Sequence, residues 1–208
     1  MQLDHLVVCA ADLAGGVAWA EARLGTPPGA FGRHAEMGTR NALWGLGNAY
    51  LEVIAVDPEG RTPPRPRWFG LDDPAMQARL AGGPVLATWA VALEALDGLA
   101  PPAGLALERL PFARDDLTWE VALTTAAALP LGGAWPLAIR WKSGLHPAKR
   151  LGDQGLRLRR LEIAGAGAEA AGAAFGPVTG AAPVEFRPGP GATRLAASIA
   201  TAAGEAEL

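Results

Sequence analysis

His5 and Glu52 each sit in the middle of an apolar, strand-like run, Leu3-Asp4-His5-Leu6-Val7-Val8-Cys9 and Asn48-Ala49-Tyr50-Leu51-Glu52-Val53-Ile54. An imidazole or a carboxylate held among Leu, Val and Ile must be paired, because burying either alone is expensive. Neutral imidazole and carboxylate are also donors that divalent metal sites commonly combine. Without a metal, a carboxylate in such a setting is a candidate base with a raised pKa. Arg40 and Arg140 pose a similar problem in otherwise apolar strands: a guanidinium there needs either a carboxylate such as Glu52 or an anionic ligand. His34, between Arg33 and Glu36, reads either as an exposed loop residue or as a pocket group, and His146, followed by Pro147, reads first as a turn-fixing side chain. Trp68 and Phe69 either close over a cavity or anchor a Pro-rich crossover on the core. Asp115 and Asp116 read as a turn, and Gly-x-Gly-x-x-Gly in a strand-to-helix context, Cys-x-x-Cys and Gly-x-Ser-x-Gly are all missing.

The elements that must hold these residues follow from periodicity and punctuation. Residues 2–9 form a strand, Asp12 caps a helix over Leu13–Leu24 with Leu13, Val17, Ala20 and Leu24 on one face, and Gly25 ends it. After the loop Thr26–Gly32 and the stretch Arg33–Met37, Thr39–Gly47 and Ala49–Val56 read as strands turning at Gly47-Asn48. A polar, Pro-rich connector over Asp57–Arg67 leads to Asp72-Asp73-Pro74, the start of a short helix through Leu80. The order then repeats: strand Val85–Leu93, a compact stretch Glu94–Gly104, and strands at Leu105–Leu110, Leu117–Thr124 and Pro136–Trp141. A third start at Leu156–Ile163 is followed by an Ala-rich helix, Gly167–Phe175, and strands near Val184–Phe186 and Thr193–Ala200, where Leu195, Ala197 and Ile199 alternate as at a sheet edge. Repetition of element order at a period of roughly 80 residues predicts modules sharing one continuous sheet.

With 208 residues, half of them hydrophobic, the chain can bury a substantial core without disulfide staples. Cys9, the single cysteine, lies in a strand and fits a buried thiol in a reduced, cytoplasmic protein. The N-terminal residues lack a basic n-region, so a signal peptide is not expected, and no apolar run is long enough to span a bilayer. A net charge of −3 with mixed signs argues against nucleic acid, the local cluster Arg157, Arg159 and Arg160 being read as a solvated strand edge.

Leu3-Asp4-His5-Leu6-Val7-Val8, Gly32-Arg33-His34, Gly38-Thr39 with Asn41, Tyr50-Leu51-Glu52-Val53-Ile54-Ala55, Arg67-Trp68-Phe69-Gly70-Leu71-Asp72, and Trp141 with Gly144 and His146-Pro147 together resemble the glyoxalase-like domain family of the vicinal oxygen chelate superfamily, up to about Leu151. The resemblance implies an α+β protein of paired βαβββ modules curling into a cup, with the first and last strands of each module facing the cavity. Residues 1–82 are then the first module with its crossover, 83–151 the second and 152–208 a partial third. In metal-using members His and Glu come from those strands, and His5 and Glu52 match them. Arg40 stands where members of the family carry His, so any ligand or base role of that His is lost.

Laying the second module on the first puts Thr88 opposite His5 and Ala138, or Arg140 after a shift of two, opposite Glu52. None is a good cation ligand, so a divalent metal at His5 and Glu52 would need His34 or His146, and the shortfall tells against it. The expected function is binding of a small anionic molecule in the cup, with His5 and Glu52 as catalytic residues and His34, Arg40, Asn41, Trp68, Arg140 and His146 as substrate contacts. Two classes stay open: an enzyme of lyase, isomerase or dioxygenase type with a degenerate metal site, and a non-catalytic binding or sequestering protein. The expected partner is a small molecule rather than nucleic acid or membrane, with a homodimer left open.

Overall fold

The computed structural model describes residues 1–208. An eight-stranded sheet is built from β1 (Gln2–Cys9), β2 (Ala30–His34), β3 (Thr39–Gly45), β4 (Tyr50–Val56), β5 (Val85–Ala92), β6 (Leu107–Arg114), β7 (Leu117–Thr124) and β8 (Leu137–Ser143), in the order β2-β3-β4-β1-β5-β8-β7-β6. Each module joins its first and last strands in parallel, β1 with β4 and β5 with β8, and the modules meet along the antiparallel β1–β5 pair. The sheet curls until a side chain spans the gap between its edge strands: Arg114 Nη1 of β6 lies against the bare face of Gly32 of β2. Residues 57–73 cross the same gap, tied by Arg65 to Glu108 of β6 at 2.7 Å.

Helix α1 (Leu13–Leu24) starts and stops as its caps dictate, with the Asp12 carboxylate accepting from Gly15 N and Gly25 left-handed at φ 69°. In α2 (Pro74–Leu80) Asp73 accepts from Ala75 N. The second module has no helix between its first two strands: Leu93–Ala106 runs as turns, as Gly98, Pro101, Pro102 and Gly104 require. The turn at Asp115-Asp116 joins β6 to β7 as expected, with Asp115 at φ 55°.

The C-terminal residues correct the expectation of one continuous sheet. Strands β9 (Arg157–Gly165), β10 (Val184–Pro188), β11 (Arg194–Thr201) and β12 (Gly204–Glu207) make a separate sheet in the order β10-β9-β11-β12. Here β9 runs parallel to β10, the very next strand, through α4 (Ala168–Phe175), so the pairing differs from that of the first two modules. The hairpin partner β12 puts β11 inside the sheet rather than at its edge. Nor is β9 an edge: Leu158, Leu161 and Ile163 face the core, while Arg157 and Arg159 are exposed. A short helix α3 (Pro147–Arg150) links the two sheets.

Two apolar layers result. On the convex face Leu6, Val8, Leu51, Val53, Trp89 and Val91 pack with α1 and with Leu161, Ile163, Ile199 and Phe175. Phe175 of α4 meets Trp89 and Trp135 edge-on at 5.9 and 4.8 Å, so the C-terminal unit covers the face that the second module leaves without a helix. On the concave face Val7, Cys9, Ile54, Val121, Leu137 and Ile139 line the floor of the cup with Trp68, Phe69 and Phe112.

Candidate functional site

Alternation along β1 and β4 turns His5, Val7, Tyr50, Glu52 and Ile54 to one side of the sheet, and the parallel register sets His5 beside Tyr50 and Val7 beside Glu52. His5 Nε2 therefore lies 3.6 Å from Glu52 Oε2 inside the cup, with both residues nearly closed to solvent. A third group arrives by an irregularity. Opposite β5 the register slips between Leu3, facing Val91, and His5, facing Ala90, so that two residues of β1 oppose one and Asp4 is bulged. The bulge sends the Asp4 carboxylate to the His5 side, where Oδ1 accepts from His5 Nδ1 at 2.6 Å and Oδ2 from Trp141 Nε1 at 2.8 Å and His146 Nε2 at 2.9 Å.

These contacts set the tautomers. His146 Nδ1 accepts from Ala148 N at 3.2 Å, capping α3, so its proton sits on Nε2 and is given to Asp4. His5 gives its Nδ1 proton to Asp4, leaving the Nε2 lone pair facing Glu52 and the cavity. Burial alone would raise the Asp4 carboxyl, but hydrogen bonds from His146 and His5, and the positive charge those rings carry when protonated at low pH, hold it well below the usual carboxylate range. Glu52 is oriented from its other side by Asn41 Nδ2, which donates to Oε1 at 2.5 Å. Tyr50 stacks on His5 at 4.5 Å, and burial, with Asp4 and Glu52 nearby, pushes its phenol well above its ordinary value.

Around these groups lies an inner chamber lined by Leu43, Trp68, Phe69, Trp119, Ile139 and Trp141 among others. The space open to the centre of a water-sized molecule is about 40 Å³, room for a few non-hydrogen atoms when one water needs about 10–15 Å³. Phe69 adopts φ 59°, a left-handed conformation uncommon for a bulky residue, beside Trp68. Trp68 Nε1 donates to Thr39 Oγ1 at 3.2 Å, and the same oxygen lies 3.2 Å from His34 Nδ1. Desolvation, then Arg114 and His5, lower the His34 pKa to about 3, so the ring is neutral at physiological pH. Beyond the chamber opens a wider basin of about 670 Å³ that includes Arg33, Arg40, Arg114 and Arg150.

The structure thus brings His5, Glu52, Asn41, His34 and Trp68 to the chamber, and His146 reaches it through Asp4 while also fixing its turn. Trp68 is a buried wall of that chamber. The placement of Arg140 is corrected: on β8 the residues facing inward are Leu137, Ile139 and Trp141, so Arg140 emerges on the other face, exposed and 3.6 Å from Glu120. Arg40 likewise alternates with Asn41 and belongs to the outer basin, its Nε buried without a partner. Ala138, laid opposite Glu52, also faces outward, and the inward residue there is Ile139. Sequence reasoning passed over Asp4, Tyr50 and Arg114. Asp4 carried a readable signal, a carboxylate next to His5 in an apolar strand, whereas Arg114 comes from a distant edge strand.

The donor set does not suit a resident divalent metal. His5 Nε2 and Glu52 Oε2 are spaced to share an ion, but no third His, Cys, Asp or Glu joins them. Thr88 has given its hydroxyl to Gly133 O at 3.0 Å, and Leu137 and Ile139 close the opposite wall.

A profile of the glyoxalase-like domain matches residues 3–179. The chain belongs to that family. The match runs past Leu151 into the C-terminal unit, further than the sequence motifs reached. Among solved structures, the chain is similar to a hypothetical protein from Staphylococcus aureus, at 10% identity over 93% of this chain and 88% of that one, with a TM-score of 0.58. It is also similar to methylmalonyl-CoA epimerase from Mycobacterium tuberculosis, at 16% identity, 71% and 91% coverage and a TM-score of 0.43. A Streptomyces coelicolor methylmalonyl-CoA epimerase in complex with 2-nitronate-propionyl-CoA gives 17%, 70%, 99% and 0.41 for the same measures. The Staphylococcus likeness speaks for the fold of this glyoxalase-like protein, and no curated protein matches it in sequence.

Proposed function

We propose that this glyoxalase-like protein is a proton-transfer enzyme, of isomerase or lyase type, for a small anionic molecule bound in the cup. The observation that carries this reading is the buried line Asp4–His5–Glu52, in which Asp4 holds the His5 Nδ1 proton at 2.6 Å and leaves Nε2 free 3.6 Å from Glu52. A substrate C–H presented between these groups would give its proton to His5 Nε2, with Asp4 stabilising the imidazolium and the bonding pair passing into an adjacent carbonyl. Delivery of the proton to a different atom of the resulting enolate, or to the opposite face of the same carbon, completes an isomerisation, and expulsion of a leaving group from the neighbouring carbon completes an elimination. The single buried thiol of Cys9 supports a cytoplasmic setting as part of the same reading.

The test is exchange of substrate C–H for deuterium in D₂O, followed by proton NMR across a panel of short oxo and hydroxy acids. Wild type should accelerate exchange in at least one compound, and His5→Gln should lower that rate by about 100-fold or more, the usual contribution of a positioned acid or base. A compound that binds without exchanging in any arm would leave the second reading, a sequestering protein. That alternative draws its support from the aromatic lining of Tyr50, Trp68, Phe69, Trp119 and Trp141.

A further inference from the structure

Asn41, Leu43, Arg114 and Pro147 line both the inner chamber and the outer basin, and so form the neck between them. The arginines around the basin are not equivalent. Arg33 is matched by Asp57 at 3.4 Å and Glu59 at 2.8 Å, and Arg150 by Asp116 at 2.6 Å. Arg114 has no carboxylate of its own, and its Nη1 is buried without a hydrogen-bond partner. Asn41 Oδ1 is in the same condition. Its orientation is forced: the Glu52 carboxylate only accepts, so Asn41 must turn Nδ2 to it and leave Oδ1 over.

These two orphans converge. A Cβ on Gly32 would collide with Arg114 Nη1 and lie 2.6 Å from Asn41 Oδ1, so both atoms end above the bare face of that glycine. A buried donor and a buried acceptor that face one spot without bonding each other are expensive to leave unmade, and a ligand carrying the reverse pair on neighbouring atoms would satisfy both. A carboxylate with a hydroxyl on the adjacent carbon is that pair: the carboxylate accepts from Arg114 and the hydroxyl donates to Asn41 Oδ1. The chamber behind the neck limits the rest of the molecule to a few atoms.

Resting on the proton-transfer reading of His5 and Glu52, we infer that the substrate is a short 2-hydroxycarboxylate, gripped at the neck by Arg114 and Asn41 with its C2 substituents directed into the chamber. Arg114 is then the specificity-determining residue, and Gly32 is required because a side chain there would collide with Arg114 Nη1 and Asn41 Oδ1 and displace both from the neck.

The experiment is calorimetric titration, with ligand-observed NMR, of lactate, propionate, lactamide and inorganic phosphate into the whole chain. Wild type should bind lactate at least about tenfold more tightly than propionate, which lacks the hydroxyl, and than lactamide, which lacks the charge. Phosphate should bind no better than propionate. Arg114→Gln should weaken lactate by about tenfold or more and leave lactamide unchanged, Arg114→Lys should recover part of the loss, and Gly32→Ala should lose lactate binding while melting cooperatively. Arg140→Gln, on the far face, should bind as wild type. Equal affinity for lactate and lactamide, no lactate binding at millimolar concentration, or wild-type affinity in Arg114→Gln would each overturn the inference. Wild type itself separates the two proposals: lactate binding without exchange would sink the proton-transfer reading and spare the neck.

Discussion

In the first module β1 and β4 turn Asp4, His5, Tyr50 and Glu52 into the cup, whereas in the second β5 and β8 turn in Thr88, Leu137, Ile139 and Trp141. The scaffold is the same parallel pairing in both. One half has become a polar site and the other its apolar wall, and the two depend on each other: Trp141, from the second module, donates to Asp4 of the first. Concentrating the titratable groups on one side places them against a low-dielectric surface, where hydrogen bonds are stronger and unpaired charges more costly.

The largest effect should come from breaking the polar half. Asp4→Ala removes the acceptor of His5, His146 and Trp141 together, and should cost about 3–5 kcal/mol in urea unfolding, as for loss of one partner of a buried pair. The pH dependence has a defined sign. Since the folded Asp4 carboxyl is held below its unfolded value, its stabilisation is present above roughly pH 3.9 and lost as pH falls towards the lowered folded value. A stability difference between wild type and Asp4→Ala that vanished between pH 5 and 7 would contradict the assignment.

Next comes the apolar half. Ile139→Ala should cost about 2–4 kcal/mol through lost burial and a residual cavity, yet leave the pH profile of any exchange activity in place. A shifted profile would mean that the wall tunes the site rather than containing it.

A smaller effect tests the boundary. His34, neutral in the fold with a pKa of about 3, should make wild type lose up to about 1.4 kcal/mol per pH unit as pH falls below roughly 6.5, where the unfolded chain takes up the proton. His34→Gln should flatten that slope in chemical denaturation at stepped pH, and an unchanged slope would remove His34 from the account. Smallest of all, Arg140→Gln should change stability by less than about 1 kcal/mol, because Arg140 is an exposed partner of Glu120, which keeps Lys142 at 2.5 Å.

Local chemistry made much of this legible. Asp12, Gly25 and Asp73-Pro74 bounded their helices where the structure has them, because caps satisfy groups within one turn of the chain. Alternation was less safe. One residue of register separates Ala138 from Ile139 and decides which of them faces the cup, and apolar strands buried on both faces give no pattern to choose by.

By itself the sequence determined the strands and helices, the paired modules and the presence of an imidazole and a carboxylate where only partners or a site could keep them. Tertiary structure alone decided the rest: the bulge that turns Asp4 beside His5, the separate C-terminal sheet that covers the second module, and the curl that carries Arg114 across to Gly32 and Asn41. The reason is separation along the chain. Caps and turns answer to neighbours a few residues away, whereas a bulge is set by the partner strand, and the approach of one edge strand's side chain to the other edge by the accumulated twist and packing of the whole sheet.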